Sequence, residues 1–181
     1  MKRLIAGAAA GAVMLVAPAS ASAHEFTIRG DWKMGSFLVK RDGSLRGAID
    51  AFGAPGDRDR RHGGSSCVVR WPRHGLKIDF YNLAGRDACH PAHGRFSNAR
   101  ARGPHWRTAR GLEIGDRKPR LRDLYPKATH HSAEPGYWPA GWWLVRRAWP
   151  AGTGGHYPGV LARIQDRRVA AFHVRYPAGG D

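Results

Sequence analysis

The chain sets out one order of elements twice. A short amphipathic stretch with a Gly/Pro stop precedes strand-like runs at Leu45–Leu83, and a similar order returns over Lys118–Tyr176. Internal self-similarity constrains architecture more than any single residue does. In the first span Leu45, Ile49 and Phe52 fall at i, i+4 and i+7, one stripe of a short helix. Ser44 or Asp42 can cap it, and Gly53-Ala54-Pro55 stops it. Cys67–Trp71 reads as a strand, Pro72–Gly75 as a turn and Arg95–Arg102 as a third strand. Between them Leu76, Ile78 and Phe80 alternate with Lys77 and Asp79, the pattern of a strand with one buried face. The polar segment Gly56–Ser66 reads as a loop.

In the second span Asp116 is the cap candidate, Leu121 and Leu124 form the apolar edge of a helix, and Tyr125-Pro126 ends it. Lys127–Pro139 is a polar and aromatic insert. Trp142–Trp149 reads as a strand, and Val160–Ile164 with Arg168–Tyr176 as a hairpin. The expected fold is therefore α+β: two helix-plus-antiparallel-meander repeats forming a shared or adjoining sheet. One such unit leaves a sheet face bare, and two side by side bury it. The expected division is residues 24–105 and 106–181, within one compact domain.

The first 23 residues have the form of an export signal. Met1-Lys2-Arg3 is a basic start, Leu4–Ala17 an apolar run and Ala21-Ser22-Ala23 a small-residue cleavage site, so His24 is the expected mature N-terminus. The apolar run is shorter than the ~20 residues that span a bilayer, and no stable membrane insertion is expected after cleavage. No lipid-accepting Cys follows the signal. The expected location is secreted or in the extracytoplasmic envelope.

With 23 of the 181 residues removed, 158 remain; two of the 30 Lys and Arg leave with the signal, and 14 acids give the remainder a net charge of +14. A basic surface suits a polyanionic partner. The basic residues are spread along the chain, however, so nucleic acid is not the expected partner. Cys67 and Cys89 are the two cysteines, and in an exported chain an even pair reads as a disulfide.

Several motifs together resemble the BamE/SmpA-OmlA outer-membrane assembly lipoproteins and the tandem version found in secreted β-lactamase-inhibitor proteins. They are Gly43-Ser44-Leu45, Ile49, Phe52–Pro55, Val68–Trp71 and Leu76–Phe80, and then Gly111–Asp116, Leu121, Leu124 and Tyr125-Pro126. The chain also resembles uncharacterised exported proteins of actinobacteria. The resemblance implies a non-enzymatic, protein-binding domain with an exposed sheet face.

No catalytic constellation emerges. Asp87, Cys89, His90 and His93 are the best metal candidates, but a structural zinc site needs four ligands and the disulfide claims the cysteine. His130 and His131 point apart in an extended chain, and Asp79 and Asp123 are lone acids where general acid–base work needs a tuned group. No cofactor and no metal are expected.

The aromatic cluster carries the binding expectation. Tyr137, Trp138, Trp142 and Trp143 lie beside Arg146 and Arg147, and such residues anchor partners. Strict alternation puts Trp143, Val145, Arg147 and Trp149 on one face and Trp142, Leu144 and Arg146 on the other. The expected function is a non-catalytic module that binds a protein or a cell-envelope component. The alternatives are a secreted wall or polysaccharide hydrolase, and electrostatic adhesion to anionic envelope polymers.

Overall fold

The structure is a computed structural model that describes residues 26–40, 43–135, 138–148 and 155–176. The proposed signal segment, Asp42, Tyr137 and Trp149 lie outside the described residues.

Twelve strands and two α-helices are present among the described residues. A small sheet comes first: β1 (Phe26–Arg29), β2 (Lys33–Met34) and β3 (Phe37–Leu38), joined by β8 (Trp106–Thr108) in the order β3-β2-β1-β8. β1 and β8 are parallel, with Phe26 opposite Trp106. The large sheet has eight strands: β4 (Asp57–Arg61), β5 (Ser66–Trp71), β6 (Leu76–Tyr81), β7 (Arg95–Ala101), β9 (Thr129–His131), β10 (Gly141–Ala148), β11 (His156–Gln165) and β12 (Arg168–Arg175). Their spatial order is β4-β5-β6-β7-β12-β11-β10-β9, antiparallel throughout.

The helices are minor elements. α1 (Leu45–Phe52) is capped by Ser44, whose Oγ accepts from the Gly47 N–H at 3.0 Å. It buries Leu45, Ala48 and Phe52 and ends at Gly53, whose φ of 79° only glycine adopts readily. α2 (Lys118–Leu124) follows Arg117 and buries Leu121. Asp116 does not cap it; its Oδ2 accepts from the Glu113 N–H at 2.9 Å instead.

The expectation of an α+β pair of helix-plus-meander repeats is therefore corrected. The protein is mostly β, with a continuous eight-stranded antiparallel sheet and a second, mixed sheet. Two physical causes account for the error. The charged run Asp57–Arg61 and the polar run Thr129–His131 are strands, yet neither has the apolar alternation that marks one. The strands of the small sheet are two to four residues long, too short to show a period. The two expected spans also interlock: β1 pairs with β8, and β7 with β12.

One apolar cluster holds these layers together. From the large sheet come Cys67, Val69, Trp71, Leu76, Ile78, Phe80, Phe96, Ala99, Phe172 and Val174. Across from them lie Phe26, Ile28, Met34, Phe37 and Trp106 of the small sheet, with Leu45, Phe52 and Leu121 of the helices. Phe26 stacks on Trp106 at 4.8 Å, and the indole N–H of Trp106 donates to the His74 carbonyl at 2.6 Å. Cys67 and Cys89 form the expected disulfide, which ties β5 to the loop after β6.

A polar bolt joins the two sheets. Asp31 is 1% exposed in the turn after β1. Arg147 of β10 donates to both of its oxygens, Nε to Oδ2 at 2.9 Å and Nη2 to Oδ1 at 2.7 Å. Those hydrogen bonds to the Asp31 carboxylate raise the pKa of Arg147. A side chain at Gly159 would place a Cβ 3.0 Å from Asp31 Cβ, so any larger residue there would press on the bolt.

The two partners differ in exposure, and truncation should be asymmetric. Arg147→Ala strands a buried carboxylate and is expected to cost at least the ~3 kcal/mol typical of a broken buried pair. Asp31→Ala leaves a guanidinium that water can reach and should cost about 2 kcal/mol or less. Urea denaturation of both variants checks this; an equal or reversed order would show that the carboxylate is not the buried partner.

Candidate binding face of the eight-stranded sheet

Because side chains alternate along a strand, the strands that fill the core with every second residue turn the others outward. Both helices and the small sheet place their buried apolar residues in the one core cluster; on the opposite face Val68, Leu161, Trp143 and Ala171 are buried outside that cluster. A single cross-strand row runs over that face. Asp57 lies opposite Arg70, Arg70 opposite Lys77, Lys77 opposite Arg100 and Arg100 opposite His173. The row continues from His173 to Leu161, from Leu161 to Trp143 and from Trp143 to Thr129. All eight strands contribute one residue.

The row is cationic at one end and aromatic at the other. At the cationic end Arg70 forms an ion pair with Asp57, and Lys77 Nζ sits 3.2 Å from Asp79 Oδ1. Arg100 and His173 carry no such carboxylate partner among the described residues. At the aromatic end His131 stacks on Trp143 at 3.7 Å and 13°, and Trp138 meets Trp143 edge-on at 5.5 Å. The Arg175 guanidinium lies over the Trp138 ring at 5.8 Å, within the range of a cation–π contact.

Three polar atoms in the row are buried and without a hydrogen-bond partner: Arg100 Nε, His173 Nε2 and Trp143 Nε1. Such groups cost about 1–3 kcal/mol each when left unmade. His173 is the most perturbed. Burial, then the charges of Arg163, Arg102 and Lys77, push its pKa down to about 4, so the ring is neutral at pH 7. Burial also lowers His131, helped by Arg146 and His130.

The sequence-predicted residues divide between the two faces. Trp138 and Trp143 belong to the outer face, with Trp143 only 6% exposed beneath its aromatic neighbours. Trp142 packs against the core, beneath the ammonium of Lys118 at 5.0 Å and the guanidinium of Arg122 at 5.4 Å. Arg146 reaches His156 Nδ1 at 3.0 Å, and Arg147 is taken by Asp31. Tyr137 lies outside the described residues. Register shifts between Trp143 and Val145, and again before Arg146, break the expected alternation. As a result Leu144 and Val145 both pack against the core.

Lys77, Arg100, His131, His173 and Arg175 were not among the candidate binding residues. Only Lys77 carried a local signal, its place between Leu76 and Ile78. The others join the face through pairing between strands far apart in the chain, which no local pattern records.

The histidine candidates have separate settings. The rings of His90 and His93 are 4.4 Å apart, but Asp87 is occupied by Arg60 and by the Cys89 N–H. Among the described residues no group of three or more His, Cys, Asp or Glu could hold a metal ion. His130 lies by Trp142 and His131 by Trp143, so the two point to opposite faces.

His173 makes stability depend on pH. Its pKa is lowered on folding from 6.5 to about 4, so the unfolded chain binds more protons between these values. The neutral ring's contribution is complete above pH 6.5 and is lost as pH falls towards 4, an order of about 3 kcal/mol in all. His173→Gln should flatten the fall in urea midpoint between pH 6.5 and 4, measured by tryptophan fluorescence. An unchanged slope would assign the acid sensitivity to other groups.

No family model matches the chain, and neither the curated proteins nor the solved structures contain a significant match to it.

Proposed function

We propose that the chain is an exported, non-catalytic binding module that recognises a protein or a cell-envelope component through the outer face of its large sheet. The observation that carries this reading is the eight-strand row from Asp57 to Thr129, cationic at one end and aromatic at the other. A hydrolase would instead need a titratable pair facing a cleft. The acids of this face are engaged with Arg70 and Lys77, and the cavity that two carboxylates line, Asp123 and Asp166, sets five cations around them.

The face offers the two components of a protein-recognition surface. Trp138, half-buried and braced edge-on by the buried Trp143, supplies a preorganised aromatic anchor. Arg100 and Lys77 supply cationic groups on the row to which Trp143 belongs.

The experiment is capture from envelope extract and culture medium by the immobilised mature chain, residues 24–181, at low salt and at 0.5 M salt. A partner retained at high salt and weakened about tenfold or more by Trp138→Ala and by Arg100→Gln supports the module. Capture that disappears with salt alone, as exposed charges do when the Debye length falls below ~10 Å, would replace it with electrostatic adhesion. Capture indifferent to both substitutions would place the contact elsewhere on the molecule.

A further inference from the structure

We infer that a second site, on the other side of the sheet from the Trp143 face, binds the phosphate groups of a polyol- or sugar-phosphate polymer. It is the basic cleft between the start of α2 and the turn joining β11 to β12, about 740 Å³ in volume. Arg117, Lys118, Arg122, Arg167 and Arg168 line it, against only two carboxylates, Asp123 and Asp166. Among the described residues none of the five cations takes part in an ion pair. Like charges gathered in one concavity repel, and a bound polyanion relieves that repulsion.

The walls are fixed before any ligand arrives. The Lys118 N–H donates to the Arg167 carbonyl at 3.0 Å, Val169 N–H to Asp116 at 2.8 Å, and Gly115 N–H to Val169 at 2.8 Å. Arg168 Nη1 donates to the Gly115 carbonyl at 2.8 Å. The turn itself holds Asp166 and Arg167 at φ of 49° and 61°, the paired left-handed residues of a tight hairpin turn. Lys118 and Arg122 are steadied over Trp142. The cleft therefore presents cations from two segments that cannot splay apart.

Arginine outnumbers lysine four to one here, and a guanidinium fork matches two phosphate oxygens at once. The volume falls in the range of ligand sites and exceeds what one phosphate fills. A single-stranded nucleic acid would also draw on aromatic faces on which to stack its bases. The nearest indole, Trp142, already has Lys118 and Arg122 over it and packs against the core. A phosphate polymer without bases fits better.

The test is titration calorimetry of the full mature chain with a glycerol-phosphate oligomer, alongside oligothymidylate with the same number of phosphates. The double variant Arg117→Gln/Arg167→Asn should weaken the glycerol-phosphate oligomer at least tenfold and reduce the salt slope by about one to two. Arg117→Lys/Arg167→Lys, which keeps the charge but not the guanidinium fork, should bind between the native chain and the double variant while keeping the native salt slope. The outer-face pair Lys77→Gln/Arg100→Gln should leave it unchanged, which separates this site from the proposed partner-binding face. Circular dichroism melting confirms that each variant is folded. The inference is overturned if the native chain does not bind the oligomer, or if the cleft variant binds it as well as the native chain. It is equally overturned if the outer-face pair loses as much affinity, or if oligothymidylate binds more tightly.

Discussion

The hydrogen bonds between β7 and β12 are the join on which the molecule depends. Through them β4–β7 and β9–β12 become one ladder, with Phe172 opposite Ala101 and Val174 opposite Ala99. Without that seam each group would have an open edge in the middle of the protein, where unpaired backbone groups are costly. With it, a single apolar surface faces the small sheet and both helices. The outer edges can then be short or heavily charged: β9 has three residues, and β4 is an unbroken run of Asp and Arg. Such edges discourage pairing with another chain.

The seam also explains why the small sheet has so little regular structure and still packs well. Its strands contribute few ladder bonds and many large side chains. Phe26 and Phe37 meet Phe52 edge-on, Trp106 meets it tilted and Phe37 meets Phe96 tilted, while Phe52 in turn meets Trp71 edge-on. Burial of such rings is a large apolar contribution, and the Asp31–Arg147 pair fixes the orientation in which it is made.

What was legible in the sequence followed from local pattern. The alternation at Leu76–Phe80, the stripe of Leu45, Ile49 and Phe52, the Ser44 cap and the Cys67–Cys89 bridge each depend on near neighbours or on a simple parity. The hairpin of β11 and β12 was visible for the same reason. The edge strand Asp57–Arg61 was not, because an edge strand with both faces in water needs no apolar residue. The outer face was not legible either. Arg100, His173 and Leu161 come together only after β7, β12 and β11 have paired, and the bulges in β10 shift Val145 to the core in a way that strict alternation denies. Of the aromatic candidates, the sequence supplied the identities, and pairing decided which side each one faces.

Alternation along the strands has a further consequence for how such a chain can vary. Residues that hold the molecule together and residues that present it to the outside occupy odd and even places on the same strands. A lineage could exchange Lys77, Arg100 or Arg163 freely while Ile78, Ala99 and Ala162 stayed fixed. The two sets are adjacent in the chain yet separated by the thickness of a sheet, so new specificity could arise without rebuilding the scaffold beneath it.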